Sequence, residues 1–236
     1  MESTELGKGQ AGKCIIENTP DYGELNPLSS FIESGMSALD SQLKFVAEID
    51  KMTHILRRTL LVDGSRREND AEHSWHIAVM CLLFKDYFCD KSSPDKKPDT
   101  AYAAKLCLVH DLVEIYAGDT FAFDKEANKS KIERENQAAD RLFSQLPEAQ
   151  GKEIRSLWEE FDAMETIESK YANCMDRIQP FLHNTLTGGH TWLQGSATVE
   201  DVINRGKPVK ENMPEIWKWM EINIEAGVKK GWIQRS

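Results

Sequence analysis

Residues 108–120 read LVHDLVEIYAGDT. The stretch is apolar for two turns of a helix and then presents His110, Asp111 and Glu114, followed past Gly118 by Asp119. Burying an unpaired carboxylate costs several kcal/mol, so a core helix gains nothing from these charges. Either this helix end faces water or the charges answer to a cation. His110 and Glu114 are four residues apart, and Asp111 and Glu114 three, so all three share one helix edge. Gly118 supplies a C-terminal stop, and the pattern predicts a helix over about 100–117.

The same helical periodicity extends outward in both directions. Leu39, Leu43, Val46, Ile49, Met52 and Leu56 recur at three- and four-residue steps, predicting an amphipathic helix to about residue 61. VDGSRREND breaks it with a Gly-Ser turn, and a second helix is expected over about 71–89, carrying Ile77, Met80, Cys81 and Phe84. DKSSPDKKPD reads as a polar loop. Further helices are predicted at about 126–146, 148–162, 166–186 and 212–230, with Pro147 between the first two and Gly188-Gly189 after the third. Strand-like alternation is nearly absent. The expected fold is therefore all-α, a compact helical bundle. Residues 1–35 mix Gly, Ser, Pro and charge without a period and read as an irregular arm, leaving 36–236 as a single domain.

The bulk numbers set limits on function. Lys and Arg total 29 against 39 Asp and Glu in 236 residues, a net charge of −10. That balance argues against nucleic acid as a partner, because such binding neutralises phosphates with a basic surface. It leaves room for one small phosphorylated ligand in a locally basic pocket. Five scattered cysteines (Cys14, Cys81, Cys89, Cys107, Cys174) without a C-x-x-C pair indicate a reducing compartment. No apolar run approaches the roughly 18 residues needed to span a bilayer. A cytoplasmic protein with no membrane partner is expected.

Four places carry residues that packing does not require. AEHSWHIA, 71–78, holds His73 and His76 one turn apart; the opening stretch holds His110, Asp111 and Glu114; Asp119 follows; and Asp176 sits inside the apolar YANCMDRIQPFL. Two imidazoles and two carboxylates suit one divalent ion: Mn²⁺, Fe²⁺, Co²⁺, Ni²⁺ or Zn²⁺, with Mg²⁺ a further candidate. Six-coordination would leave two positions for water and substrate.

His73, His110-Asp111 and Asp176 resemble the H…HD…D signature of the HD-domain metal-dependent phosphohydrolases. E-H-S within 71–78 and H-D-x-x-E-x-x-x-G-D at 110–119 resemble more narrowly the branch of the 5′-deoxynucleotidases and HD domain-containing protein 2, over about 38–232. The resemblance implies an all-α HD-domain bundle, commonly a homodimer, that hydrolyses nucleoside monophosphates. It implies His73, His110, Asp111 and Asp176 as metal ligands, and Glu114 and Asp119 as the carboxylates of acid–base and water-positioning work. Arg58, 15 residues before His73, matches an arginine used near the substrate phosphate, and Lys125 matches a lysine of relatives. Guanidinium suits phosphate because it donates two parallel hydrogen bonds. The relatives follow that arginine with a tryptophan that crowds the sugar 2′ position; here Thr59 follows, which puts a deoxyribose preference in doubt.

Blander roles compete with these. Glu114 also suits a solvated helix end, and Asp119 a turn or N-cap. His76 reads as a supporting or surface residue, and His54, His183 and His190 as ordinary ones. Trp75, Trp217 and Trp219 are expected to pack, with Trp75 a candidate pocket wall. Arg57 reads as a surface or salt-bridging residue, while Arg66, Arg67 and Glu68 are placed at a pocket entrance. Competing functions are triphosphate phosphohydrolysis or another nucleotide phosphohydrolysis, and non-catalytic nucleotide binding. Residues 112–175 hold no histidine, so a binuclear phosphodiesterase centre would lack ligands.

Overall fold

The structure, a computed structural model, describes residues 27–124 and 126–235. The chain from Ser34 onward forms one compact unit. Residues 1–26 of the expected arm lie outside the described residues, and a short 3₁₀ turn spans Pro27–Ser30. In chain order come α1 (Ser37–Ile49), β1 (Leu56–Leu60), β2 (Arg67–Asn69), α2 (Asp70–Leu83), α3 (Thr100–Val109), α4 (Glu114–Ala117), α5 (Lys131–Phe143), α6 (Glu148–Ala163), α7 (Ile167–Leu186), α8 (His190–Gln194), α9 (Val199–Arg205), α10 (Lys207–Asn212) and α11 (Pro214–Lys229). The all-α expectation holds apart from one small hairpin.

That hairpin corrects the first predicted helix. α1 stops at Ile49, a 3₁₀ turn covers Asp50–His54, and residues 56–60 extend as β1, antiparallel to β2 with Leu56 opposite Asn69 and Leu60 opposite Arg67. The expected stripe is also turned outward: Leu39, Leu43 and Val46 are exposed, whereas Asp40, Phe45 and Glu48 are buried. Polar partners fix that choice. Asp40 Oδ1 accepts from the Ser34 amide at 2.8 Å, and Glu48 accepts from Lys51 and the Tyr116 hydroxyl.

The bundle centre is α2, α3 and α7 packed on one another. α2 starts at a reciprocal cap, in which Asn69 Oδ1 accepts from the Glu72 amide and Glu72 Oε2 from the Asn69 amide. α3 is capped by Asp99 and α7 by Thr166. Small residues (Ala78, Cys81, Ala103, Cys107, Ala172, Cys174) let these helices approach, and Ile77, Leu106 and Met175 fill the space between. Each fully buried Ile or Leu contributes roughly 1.5–3 kcal/mol. The Tyr171 hydroxyl, fully enclosed, donates to the Cys81 carbonyl at 2.8 Å.

The predicted helix over 100–117 is two helices. α3 ends at Val109, and the amides of Leu112, Glu114, Ile115 and Tyr116 bond three residues back rather than four. This tighter winding eclipses residues i and i+3, which stacks Glu114 directly over Asp111. Elsewhere the boundaries contract: α2 ends at Leu83 rather than 89, α5 begins at Lys131 rather than 126, and α8 to α10 occupy a stretch where no helix is predicted.

Candidate metal centre

Three elements bring the four predicted ligands together. His73 comes from the first turn of α2, His110-Asp111 from the tightened turn after α3, and Asp176 from the middle of α7. His73 Nε2 lies 3.0 Å from Asp176 Oδ1 and 4.0 Å from Asp111 Oδ2; His110 Nε2 lies 2.9 Å from Asp111 Oδ2 and 4.0 Å from Asp176 Oδ1. All four residues are buried.

The ring protons identify what these atoms are. His73 Nδ1 donates to Gln179 Oε1 at 3.1 Å and His110 Nδ1 to the Cys107 carbonyl at 2.8 Å. Each ring then turns its Nε2 toward carboxylate oxygens, the arrangement by which outer partners orient metal-bound histidines. Among the described residues the buried His110 Nε2 has no hydrogen bond of good geometry, although Asp111 Oδ2 lies 2.9 Å away. Imidazole and carboxylate donors gathered in this way out of water suit one divalent ion between them. The donor set therefore fits a metal.

Ionisation agrees with this for His73, Asp111 and Asp176. Burial, reinforced by the Arg57 charge, pushes His73 down to about 4, so its ring is neutral at ordinary pH. Burial opposes ionisation of Asp111, but His110 and Arg57 outweigh it and hold the carboxyl well below the usual range. Asp176 is likewise held low against burial, by Arg177 and by the His73 contact. His110 is pushed down by burial and, on balance, raised by Asp111.

Glu114 and Asp119 form a second group with Asp70, their carboxylate oxygens all within 4.8 Å. Gly118 makes the placement of Asp119 achievable: its φ of 75° and ψ of 148° lie in a region open essentially to glycine alone. Burial, then the nearby Asp111 and Asp70, raises Glu114 well above the usual range, and burial raises Asp119 and takes Asp70 to about 7. Asp70 Oδ2 and Glu114 Oε2 have no hydrogen-bond partner among the described residues. The solvated-end reading of Glu114 is excluded by its burial.

Arg57 holds these carboxylates together. Strand alternation points Arg57 inward and Arg58 outward. Arg57 Nη1 lies 2.7 Å from Asp111 Oδ2 and 3.2 Å from Asp70 Oδ1, and its Nε is 3.9 Å from Glu68 Oε2. It is salt-bridging but buried, not a surface residue. Arg58 lies over the Phe121 ring at 5.9 Å, on the wall of a cavity of about 70 Å³ shared with Arg57, Asp119, Arg177 and Arg205. An adjoining groove of about 1140 Å³ is lined by Lys170, Lys207 and again Arg177 and Arg205. Lys125 lies outside the described residues.

Several participants escape a sequence reading. Glu68 is buried on β2 rather than at a pocket entrance, where burial raises it to about 7. Its Oε1 accepts from Gln179 Nε2, which also donates to His183 Nε2 at 3.1 Å, with His76 Nδ1 at 3.3 Å. His183 Nδ1 in turn donates to the Leu60 carbonyl at 2.9 Å, so His183 is not an ordinary residue. Trp75 is 63% exposed and stacks on His76 instead of packing, whereas Trp217 is buried. Only the i, i+3 spacing of Asp176 and Gln179 on α7 hints at this network in the sequence.

Comparison with known proteins extends the picture. The profile of the HD domain family matches residues 49–217. The 5′-deoxynucleotidase HDDC2 of Homo sapiens is 29% identical over 156 residues, 66% of this chain and 72% of that protein. Its counterpart in Bos taurus is 31% identical over 115 residues, an alignment that spans 49% of this chain and 52% of the bovine protein. A crystal structure of a predicted metal-dependent phosphohydrolase from Magnetospirillum magnetotacticum MS-1 superposes with a TM-score of 0.76 at 40% identity, covering 86% of this chain and 99% of that one.

Proposed function

The chain belongs to the HD domain family, and from that premise we propose that it is a metal-dependent phosphohydrolase that removes the 5′-phosphate of nucleoside and deoxynucleoside monophosphates. The observation that carries the reading is the buried cluster of His73, His110 and Asp176, with Asp111 within 4.0 Å of both imidazoles, beside a cavity walled by arginines. The similarity to 5′-deoxynucleotidases supports the substrate class.

Those four side chains would hold one divalent ion, with Mn²⁺, Co²⁺, Fe²⁺, Ni²⁺, Zn²⁺ and Mg²⁺ as the ions to test. Bound there, it supplies a water of lowered pKa and polarises the phosphoryl oxygen. The chain does the rest. Gln179 and the Cys107 carbonyl fix which ring nitrogens face the centre. Glu114 and Asp119 share the proton work: one takes a proton from the attacking water, and one gives a proton to the sugar oxygen as it leaves. Their burial favours carboxyl groups able to do both. Arg57 keeps the crowded carboxylates in place, and Arg58, with Lys125, supplies positive charge for the phosphate. Residues 36–236 are proposed as the whole catalytic domain, acting as a cytoplasmic homodimer. Among the described residues no helix is long and apolar enough to cross a membrane.

Phosphate release from paired ribo- and deoxyribonucleoside mono-, di- and triphosphates, each with several divalent metals, tests the reading. Activity on 5′-monophosphates is expected, with deoxy forms favoured modestly or not at all because Thr59 leaves the sugar 2′ position uncrowded. Tripolyphosphate release from triphosphates with silence on every monophosphate would overturn the substrate class.

A further inference from the structure

The cations lining the two cavities are not equivalent. In the larger groove Lys170 faces Asp90 at 2.9 Å and Lys207 faces Glu211 at 3.8 Å, and Arg177 is bonded to Asp176. Each thereby has a carboxylate partner. Arg205 has no hydrogen bond and no ion pair among the described residues, yet it lines both the small cavity and the groove and is partly withdrawn from water. Lys91 on the groove and Arg58 on the small cavity are exposed. Arg205 is thus the desolvated cation of this wall that makes no direct ion pair; Asp176 and Asp119 act on it only from further off.

Its place is fixed by packing. Arg205 ends α9, and the next residue, Gly206, lies so close to Trp217 that an added Cβ would meet the ring at 2.7 Å. A positive residue at a helix C-terminus is favourable in itself, but that accounts for neither its turn inward nor its place on two cavities. Burial and the neighbouring Arg177 charge outweigh the opposing pull of Asp176 and Asp119 and bring the guanidinium down to about 9. A fixed, partly dehydrated guanidinium without an acceptor is the arrangement that takes a phosphate in two parallel hydrogen bonds.

We propose that Arg205, with Arg177 beside it, is the phosphate-gripping residue of the site, holding the substrate's phosphate in the small cavity while the nucleoside extends into the larger groove. The assignment rests on the phosphohydrolase reading and adds to it a residue of α9, some thirty positions beyond the last metal ligand. The small cavity has room for an anion the size of phosphate, and only the groove has room for more.

Calorimetric titration of the metal-loaded protein with inorganic phosphate tests the assignment on wild type, Arg205→Gln and Arg205→Lys. Phosphate affinity is expected to fall about 10- to 100-fold in Arg205→Gln and less in Arg205→Lys. In turnover, KM is expected to rise by a similar factor while kcat changes little. A merely structural role would lower the melting temperature of both variants and leave phosphate affinity alone. Equal affinity in wild type and Arg205→Gln, or a wild type that binds no phosphate while hydrolysing monophosphates, overturns the assignment and spares the phosphohydrolase reading. Arg205-dependent phosphate binding in a protein that hydrolyses no phosphomonoester upholds the assignment and overturns the reading.

Discussion

Replacing Gln179 by methionine tests whether the hydrogen-bond chain behind His73 prepares the metal centre. Gln179 is fully buried; it accepts from His73 Nδ1 at 3.1 Å and donates to Glu68 Oε1 and to His183 Nε2. Its amide is set with the NH₂ toward Glu68 and His183 and the oxygen toward His73, which serves all three partners at once. That orientation protonates His73 on Nδ1 and leaves Nε2 for the ion. Methionine has nearly the same volume but no comparable donor or acceptor. The change strands three buried polar atoms, each worth about 1–3 kcal/mol, for a loss of stability on the order of 3–9 kcal/mol. Loss of a partner behind a metal-bound histidine typically costs about 10- to 100-fold in metal affinity. Chelator competition with Co²⁺ or Mn²⁺, alongside thermal unfolding of the metal-free protein, measures both. Gln179→Glu keeps the acceptor for His73 while placing like charge near Glu68, so it is expected to lose stability but retain affinity nearer to wild type. Metal affinity within about twofold of wild type in a folded Gln179→Met protein would refute the reasoning.

Asp176→Ala and Glu114→Gln separate metal binding from chemistry. Elemental analysis is expected to find the ion lost from Asp176→Ala and retained by Glu114→Gln, whose turnover falls by about 10²- to 10⁴-fold; near-normal kcat in the latter would move the proton work to Asp119. Glu68→Gln isolates one titration in the metal-free protein. Burial raises Glu68 from 4.5 to about 7, so the fold favours the protonated form. Its stabilising contribution is intact below about pH 4.5 and is lost as pH rises through about 7. The neutral glutamine escapes that loss, so the variant should gain on wild type over this window by up to roughly 3 kcal/mol. A difference in chemical denaturation that stays flat across the window would show that Glu68 does not titrate in this way.

The sequence by itself determined the helical class and the candidate ligand set. Ligand chemistry is a matter of residue type and spacing: two imidazoles and two carboxylates set among apolar helical residues have little to do there except hold a cation. His73, His110 and Asp176 do cluster, with Asp111 beside both imidazoles. The apolar period of α1 was legible, but not which face turns inward, because Asp40 and Glu48 are drawn into the protein by partners outside their own helix. Arg57 and Arg58 were indistinguishable as a dipeptide until β1 gave one an inward and the other an outward direction. The break after Val109 was hidden because a 3₁₀ turn and an α-turn accept the same residues, although only the tighter turn stacks Glu114 on Asp111. Gln179, His183, Asp70 and Arg205 carry no local signal strong enough to assign them. Their roles arise from hydrogen bonds, desolvation and missing ion pairs between elements far apart in the chain, which exist only once α2, α7, α9 and the hairpin are folded together.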